Sequence, residues 1–116
     1  MLFLQYPKCT TCKRAKKFLD DNNITYVDRH IVEENPKVEE LKTWIEKSGL
    51  PIKRFFNTSG LVYRELGMKD KMNVLSEDEL VDLLASNGML VKRPLVILED
   101  KVLIGFKEEA WKEALL

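Results

Sequence analysis

Cys9-Thr10-Thr11-Cys12 is the stretch of this chain best equipped for covalent chemistry. A thiol reacts as its thiolate, so its surroundings decide whether it is a nucleophile or an inert packing group. At the N-terminus of a helix a cysteine faces unpaired backbone N–H groups and the positive end of the helix dipole, and both favour the anion. Lys8, Lys13 and Arg14 place positive charge nearby in the sequence and are expected to act in the same direction. On this reading Cys9, just ahead of the helix, is the exposed nucleophile. Cys12, in the first turn, is close enough to attack a mixed disulfide or sulfenic acid formed on Cys9. The alternatives are two small side chains that only pack, or half of a metal site. A tetrahedral site needs four good ligands, and the two cysteines and the one histidine, His30, leave too few.

A second candidate is Arg93-Pro94. Taken alone, Pro94 is a strand-start proline and Arg93 an exposed cation. If the following strand lies beside the turn that carries Cys9, Arg93 can face the thiolate or grip an oxyanion with two parallel hydrogen bonds. Thr10 and Thr11 suit a first helical turn and could also donate to an anion held beside Cys9. His30 reads as a strand-end residue with no acidic partner to orient it. Trp44 and Trp111 fall in phase with apolar stripes and are expected in the core. Lys13, Arg14, Lys16 and Lys17 form the solvated side of a helix, or an electropositive rim for carboxylates, arsenate or an acidic partner.

The elements that must position these groups follow from the hydrophobic pattern. Residues 2–6 read as a short buried strand ending at Pro7. Residues 10–22 form a helix with Ala15, Phe18 and Leu19 on one face, and residues 24–28 a second strand. Such a β-α-β unit is expected to cross over right-handed with parallel strands. A helix opened by Asn35-Pro36 turns Val38, Leu41, Trp44 and Ile45 inward and stops at Ser48-Gly49. A short helix is expected around 62–66. Ser76 with Glu79 makes a capping box for a helix carrying Leu80, Leu83 and Leu84, which ends at Asn87-Gly88. Residues 95–98 and 101–104 read as a hairpin about Glu99-Asp100. A last helix from about Lys107 turns Ala110, Trp111, Ala114 and Leu115 inward.

The 116 residues suit one domain. Nineteen basic residues balance nineteen acidic ones, which argues against a general nucleic-acid or membrane-surface binder. No apolar run approaches the roughly 18 residues of a membrane span. The opening MLFLQYPK lacks the basic flank and long apolar stretch of a signal peptide, so the expected location is the cytoplasm, where thiols are kept reduced. A C-x-x-C pair opening a β-α-β unit in that compartment points to thioredoxin-like redox chemistry.

With these residues in place, the chain resembles the arsenate reductase/Spx family of thioredoxin-fold proteins from end to end. The resemblance rests on Tyr6-Pro7-Lys8-Cys9, on a helical insertion after the second strand, on Arg93-Pro94, and on residues 55–67 and 88–97. It implies an α/β, thioredoxin/glutaredoxin-like domain over residues 1–116. Its four-stranded mixed sheet would carry an all-helical insertion (about 35–88) between strands two and three, in a core of about 1–30 and 89–116, with Pro94 cis. For arsenate reductases the resemblance implies Cys9 as catalytic nucleophile and Arg93 as one of three oxyanion-gripping arginines. Asn57 and Phe106 stand at the other two places, with Arg54 and Arg64 as spatial substitutes. Lys8, Thr10, Thr11 and Pro94 would border the oxyanion or disulfide substrate; those reductases generally lack a cysteine at the place of Cys12, whose role in resolving Cys9 to a redox-active disulfide is read from its place in the first turn. No cofactor or metal would be bound, and glutathione, glutaredoxin or thioredoxin would serve as external reductant. For Spx-type regulators the resemblance implies a Cys9–Cys12 redox switch and binding to the C-terminal domain of the RNA polymerase alpha subunit. Gly49 would correspond to a glycine at that contact. Neither reading involves direct contact with nucleic acid or membrane.

Overall fold

The computed structural model describes all residues, 1–116. In chain order the elements are β1 (Leu2–Gln5), α1 (Thr10–Asp21), β2 (Val27–His30), α2 (Val38–Ser48), α3 (Leu61–Glu65), α4 (Met68–Lys71), α5 (Glu77–Ser86), β3 (Leu95–Ile97), β4 (Val102–Ile104) and α6 (Glu108–Leu115). The four strands make one mixed sheet in the order β2-β1-β3-β4. β1 runs parallel to β2 and antiparallel to β3, and β3 and β4 form the expected hairpin, closed by Leu98 N–H donating to the Lys101 carbonyl at 2.9 Å. The fold is the α/β, thioredoxin-like architecture that the pattern of elements implies.

Because side chains alternate along a strand, the two faces of the sheet are legible in β1 and β3. Phe3 and Val96 point to one face and join Ala15, Phe18 and Leu19 of α1 and Trp111 of α6. Leu4, Leu95 and Ile97 point to the other and join Leu41, Trp44 and Ile45 of α2 and Leu80, Val81 and Leu84 of α5. Each such aliphatic or aromatic side chain taken out of water contributes roughly 1.5–3 kcal/mol. The helix that carries the cysteine pair is thus clamped to the sheet through a buried stripe at Cys12, Ala15, Phe18 and Leu19.

Several expectations shift. The second strand begins at Val27 rather than 24, because α1 ends in a turn with Asn23 in the left-handed region (φ 56°). Ile24 N–H then bonds back to the Leu19 carbonyl, and the ladder starts only at Leu2 opposite Val27. The short helix expected around 62–66 is α3, and beyond Gly67, at φ 64°, a further short helix, α4, follows. Ala110 is exposed, while Trp111 carries the inward contact of α6. Ser76 caps α5 as expected: its Oγ accepts from Glu79 N–H and the Glu79 carboxylate accepts from Ser76 N–H. The tight turn over Ile52–Phe55 has no signal in the periodicity. It brings Phe56 into a bridge with Val91 and fastens the insertion to the run leading into β3.

Candidate functional site

Cys9 is the N-cap of α1. Its backbone is extended (φ −85°, ψ 123°), and its sulfur accepts from Cys12 N–H at 3.4 Å. The turn before it is closed by Cys9 N–H donating to the Tyr6 carbonyl at 2.9 Å. The sulfur therefore does the work that a serine or aspartate oxygen does at other helix starts. Cys9 is half-buried rather than fully exposed, and Cys12 is completely buried. Both are free thiols.

The two thiols differ sharply in acidity. Burial of Cys9 opposes ionisation. The Cys12 N–H and thiol, the charge of Arg93 and the Thr11 N–H outweigh that penalty and hold the Cys9 thiol below its ordinary value of 9.0. Burial pushes the Cys12 thiol up to about 12, and the neighbouring Cys9 adds to the rise. The Cys9 sulfur is thus the more readily ionised of the two, and Cys12 holds its proton beside it.

β3 pairs antiparallel with β1, Leu4 opposite Leu95, so the residues just before β3 meet those just after β1. That register places Arg93 over the ring of Tyr6, its guanidinium carbon 5.3 Å from the ring centroid. The Arg93–Pro94 peptide bond is cis and Pro94 is buried. Arg93 forms no ion pair, and its buried Nε and Nη1 have no hydrogen-bond partner. Such donors are costly to leave unmet.

The remaining sequence candidates divide. Thr10 is exposed and Thr11 half-exposed in the first turn, on the same side of the chain reversal as Cys9. Lys8, Lys13 and Arg14 are exposed, where water and salt screen them. The cation acting most strongly on Cys9 is Arg93. Arg14 instead lies over the ring of Phe106, 5.6 Å from its centroid. Phe106 packs edge-on against Trp111 and tilted against Phe18, so it helps to hold α6 against α1 and offers no clamp. Asn57 is tied into its own turn, its Oδ1 accepting from the Ser59 hydroxyl at 3.4 Å. Arg54 and Arg64 line concave surface on the insertion. His30 accepts from the N–H groups of Val32 and Glu33 through Nδ1, which makes it a strand-end cap. Tyr6 entered the sequence reading only as part of the Tyr6-Pro7-Lys8-Cys9 stretch, with no role of its own. Its role depends on the β1–β3 register, and only its place three residues before Cys9 hinted at it.

A four-stranded mixed sheet, with a thiol pair at the turn into its first helix and a cis-proline ahead of its third strand, defines a thioredoxin-like α/β protein. The chain belongs to the ArsC family, whose model matches residues 4–114. It is 52% identical over 113 residues to the uncharacterized protein YusI of Bacillus subtilis (strain 168), covering 97% of this chain and 96% of that one. It is 29% identical to the global transcriptional regulator Spx of Enterococcus faecalis, over 89% of this chain and 76% of the regulator. Among solved structures, an ArsC family related protein from Bacteroides fragilis superposes with a TM-score of 0.93 at 60% identity, covering 97% and 94% of the two chains. A possible arsenate reductase from Streptococcus mutans UA159 superposes with a TM-score of 0.87 at 48% identity, covering 96% of each. No helix is long and apolar enough to cross a membrane.

Proposed function

We propose that the protein is a thiol-dependent oxidoreductase in which the Cys9 thiolate attacks a substrate sulfur or arsenic and Cys12 resolves the adduct. The observation that carries this reading is the Cys9 sulfur seated on the Cys12 N–H beside an arginine with unmet buried donors. Arg93 stabilises the thiolate and then the charge on a bound oxyanion or leaving group. Thr10, Thr11 and Lys8 border the anion from the helix start, and Pro94 fixes the backbone beside it. Once Cys9 is in the adduct, its electron pair no longer opposes ionisation of Cys12. Cys12 then loses its proton and displaces the substrate atom as the Cys9–Cys12 disulfide forms. The dithiol gives up two electrons, and glutathione, glutaredoxin or thioredoxin returns them from outside. With Asn57 and Phe106 in the places of two clamping arginines, a disulfide suits this site better than a tetrahedral oxyanion.

Turnover of arsenate and of 2-hydroxyethyl disulfide, with glutathione and glutaredoxin as reductant, tests the proposal. Wild type is expected to be active on the disulfide, Cys9→Ser inactive, and Cys12→Ser trapped as a mixed disulfide detectable by mass spectrometry. A Cys9→Ser protein as fast as wild type rules the mechanism out.

A second reading is a redox-switch regulator without turnover, supported by the similarity to Spx and by Gly49. This glycine ends α2 exposed and left-handed at φ 66°. The reading requires binding to the C-terminal domain of the RNA polymerase alpha subunit, with an affinity that changes when Cys9 and Cys12 are oxidised. Absence of binding in both redox states removes it.

A further inference from the structure

Two concavities on the helical insertion, about 420 and 310 Å³, adjoin through the shared residues Lys53 and Thr58. Five cations line them, Lys53, Arg54, Arg64, Lys69 and Lys92, and no Asp or Glu does. None of the five has an ion-pair partner within the chain. In a chain of nineteen basic and nineteen acidic residues this lining is a local excess of positive charge.

The groove is built onto the redox site. Lys92 N–H donates to the Phe55 carbonyl at 2.7 Å, Asn57 N–H to the Leu90 carbonyl at 2.7 Å, and Phe56 bridges Val91. These bonds lock the floor of the groove to the run that continues into Arg93. Lys92 and Arg93 are chain neighbours, about 3.8 Å apart at Cα, so the Lys92 end of the groove is one residue along the chain from the cation that acts on Cys9.

We infer that this groove docks an acidic polypeptide segment that presents its disulfide to Cys9, an inference that rests on the proposed reading of Cys9. Two end-to-end hollows with cations spread along them match carboxylates strung on an extended chain. A polypeptide also brings the sulfur that the neighbouring site consumes. A nucleic acid fits less well, since the nearby rings, Phe56 and Tyr63, are buried and offer no stacking platform. In the reaction, the Cys9 thiolate bonds to one partner sulfur while the partner S–S bond breaks, and the pair leaves on the second sulfur, which takes a proton from water. Cys12 loses its proton and displaces the first partner sulfur, which is protonated in turn. The partner gains two electrons and this chain becomes the Cys9–Cys12 disulfide.

Binding of a fluorescein-labelled hexaglutamate peptide to the full reduced chain, followed by anisotropy, tests the groove without any redox step. Wild type is expected to bind it at about 10 mM salt and to lose affinity toward 150 mM, as the screening length falls from roughly 30 to 8 Å. Lys53→Glu/Arg64→Glu is expected to weaken binding about tenfold or more, and the milder Arg64→Ala/Lys69→Ala by less. Both are expected to leave the alkylation rate of Cys9 unchanged. Equal affinity in wild type and both variants overturns the groove, as does tighter binding of an oligothymidylate or of tripolyphosphate than of the peptide. In a second arm, wild type is expected to reduce a glutamate-flanked peptide disulfide about tenfold faster than a serine-flanked one, with the ratio near one in the charge-reversal variant. Loss of that ratio in wild type, with 2-hydroxyethyl disulfide still reduced, sinks the inference alone. Failure on every disulfide sinks the reading of Cys9 instead.

Discussion

The guanidinium of Arg93 rests 5.3 Å from the centre of the Tyr6 ring, with no carboxylate to pair with and two of its nitrogens buried without partners. A cation held against an aromatic face keeps its charge, because the ring attracts it without neutralising it. Tyr6 also packs edge-on against His30, with centroids 5.7 Å apart, so the ring is itself fixed from behind. The arrangement holds a positive charge near the Cys9 sulfur.

Removing either member is therefore expected to raise the titration midpoint of Cys9. Arg93→Ala takes away a charge that favours the thiolate, and a rise of roughly one pH unit is expected. Tyr6→Leu is expected to give a smaller rise, and Tyr6→Phe, which keeps the ring, almost none. Iodoacetamide alkylation rates against pH measure all three. Identical midpoints in wild type and Arg93→Ala would take Arg93 out of the site.

The acidity gap between the two thiols has its own signature. For a group titrating at about 12, the thiolate fraction at pH 8 is about one in ten thousand. Peptide mapping after brief alkylation is expected to find label on Cys9 alone. Stability follows as well. Between 9.0 and about 12 the unfolded chain has lost the Cys12 proton and the folded chain has kept it, so stability falls as pH rises through that window. The slope is at most about 1.4 kcal/mol per pH unit. Cys12→Ala is expected to flatten this alkaline slope in urea titrations, and an unchanged slope contradicts the assignment.

At the acid end the pair to watch is Arg29 with Glu40. Their contact is two-pronged, at 2.7 and 2.9 Å, and Arg29 also donates to the Glu34 and Asn35 carbonyls. The Arg29 hydrogen bonds hold the Glu40 carboxyl below its ordinary value of 4.5. A depressed carboxylate contributes stability that is fully present above its unfolded value and is lost as pH falls through the lower folded one. Glu40→Gln is expected to cost roughly 1–2 kcal/mol at neutral pH, discounted for partial exposure, and progressively less as pH falls below 4.5. Chemical denaturation across that range measures the difference.

Gly88 offers a steric test of how the insertion is joined to the sheet. A Cβ there would collide with the Ile31 carbonyl, with Asn35 Oδ1 at 2.7 Å and with Val32 Cα at 2.8 Å. Asn35 meanwhile donates to the Ala85 carbonyl at 2.8 Å, so the loop after β2 and the end of α5 meet at this point. Gly88→Ala is expected to destabilise by about 2 kcal/mol or more, read as a lower urea midpoint with the alkylation midpoint of Cys9 unmoved. An unchanged urea midpoint would mean that the contact is slack.

Much of the scaffold could be read locally. The stripes of α1, α2 and α5, the Ser76 cap and the β3–β4 turn depend on neighbours within a few residues, and these elements lie close to where the pattern placed them. The start of β2 moved because the turn after α1 consumes Ile24–Tyr26 before pairing can begin. The 52–56 segment was silent because its organising contacts, Phe56 with Val91 and Phe55 with Lys92, span a long stretch of chain and leave no periodic trace.

The amino-acid order by itself determined that a thiol pair opens the first helix of a β-α-β unit, since capping and hydrophobic period are short-range effects. Only the folded chain decided which positive charge reaches the thiol. Lys8, Lys13 and Arg14 are adjacent in sequence but stand in water, which screens them, while Arg93 arrives through the β1–β3 pairing and lies half-buried on Tyr6. Charge acts across space in proportion to proximity and to the exclusion of water, and strand pairing sets both.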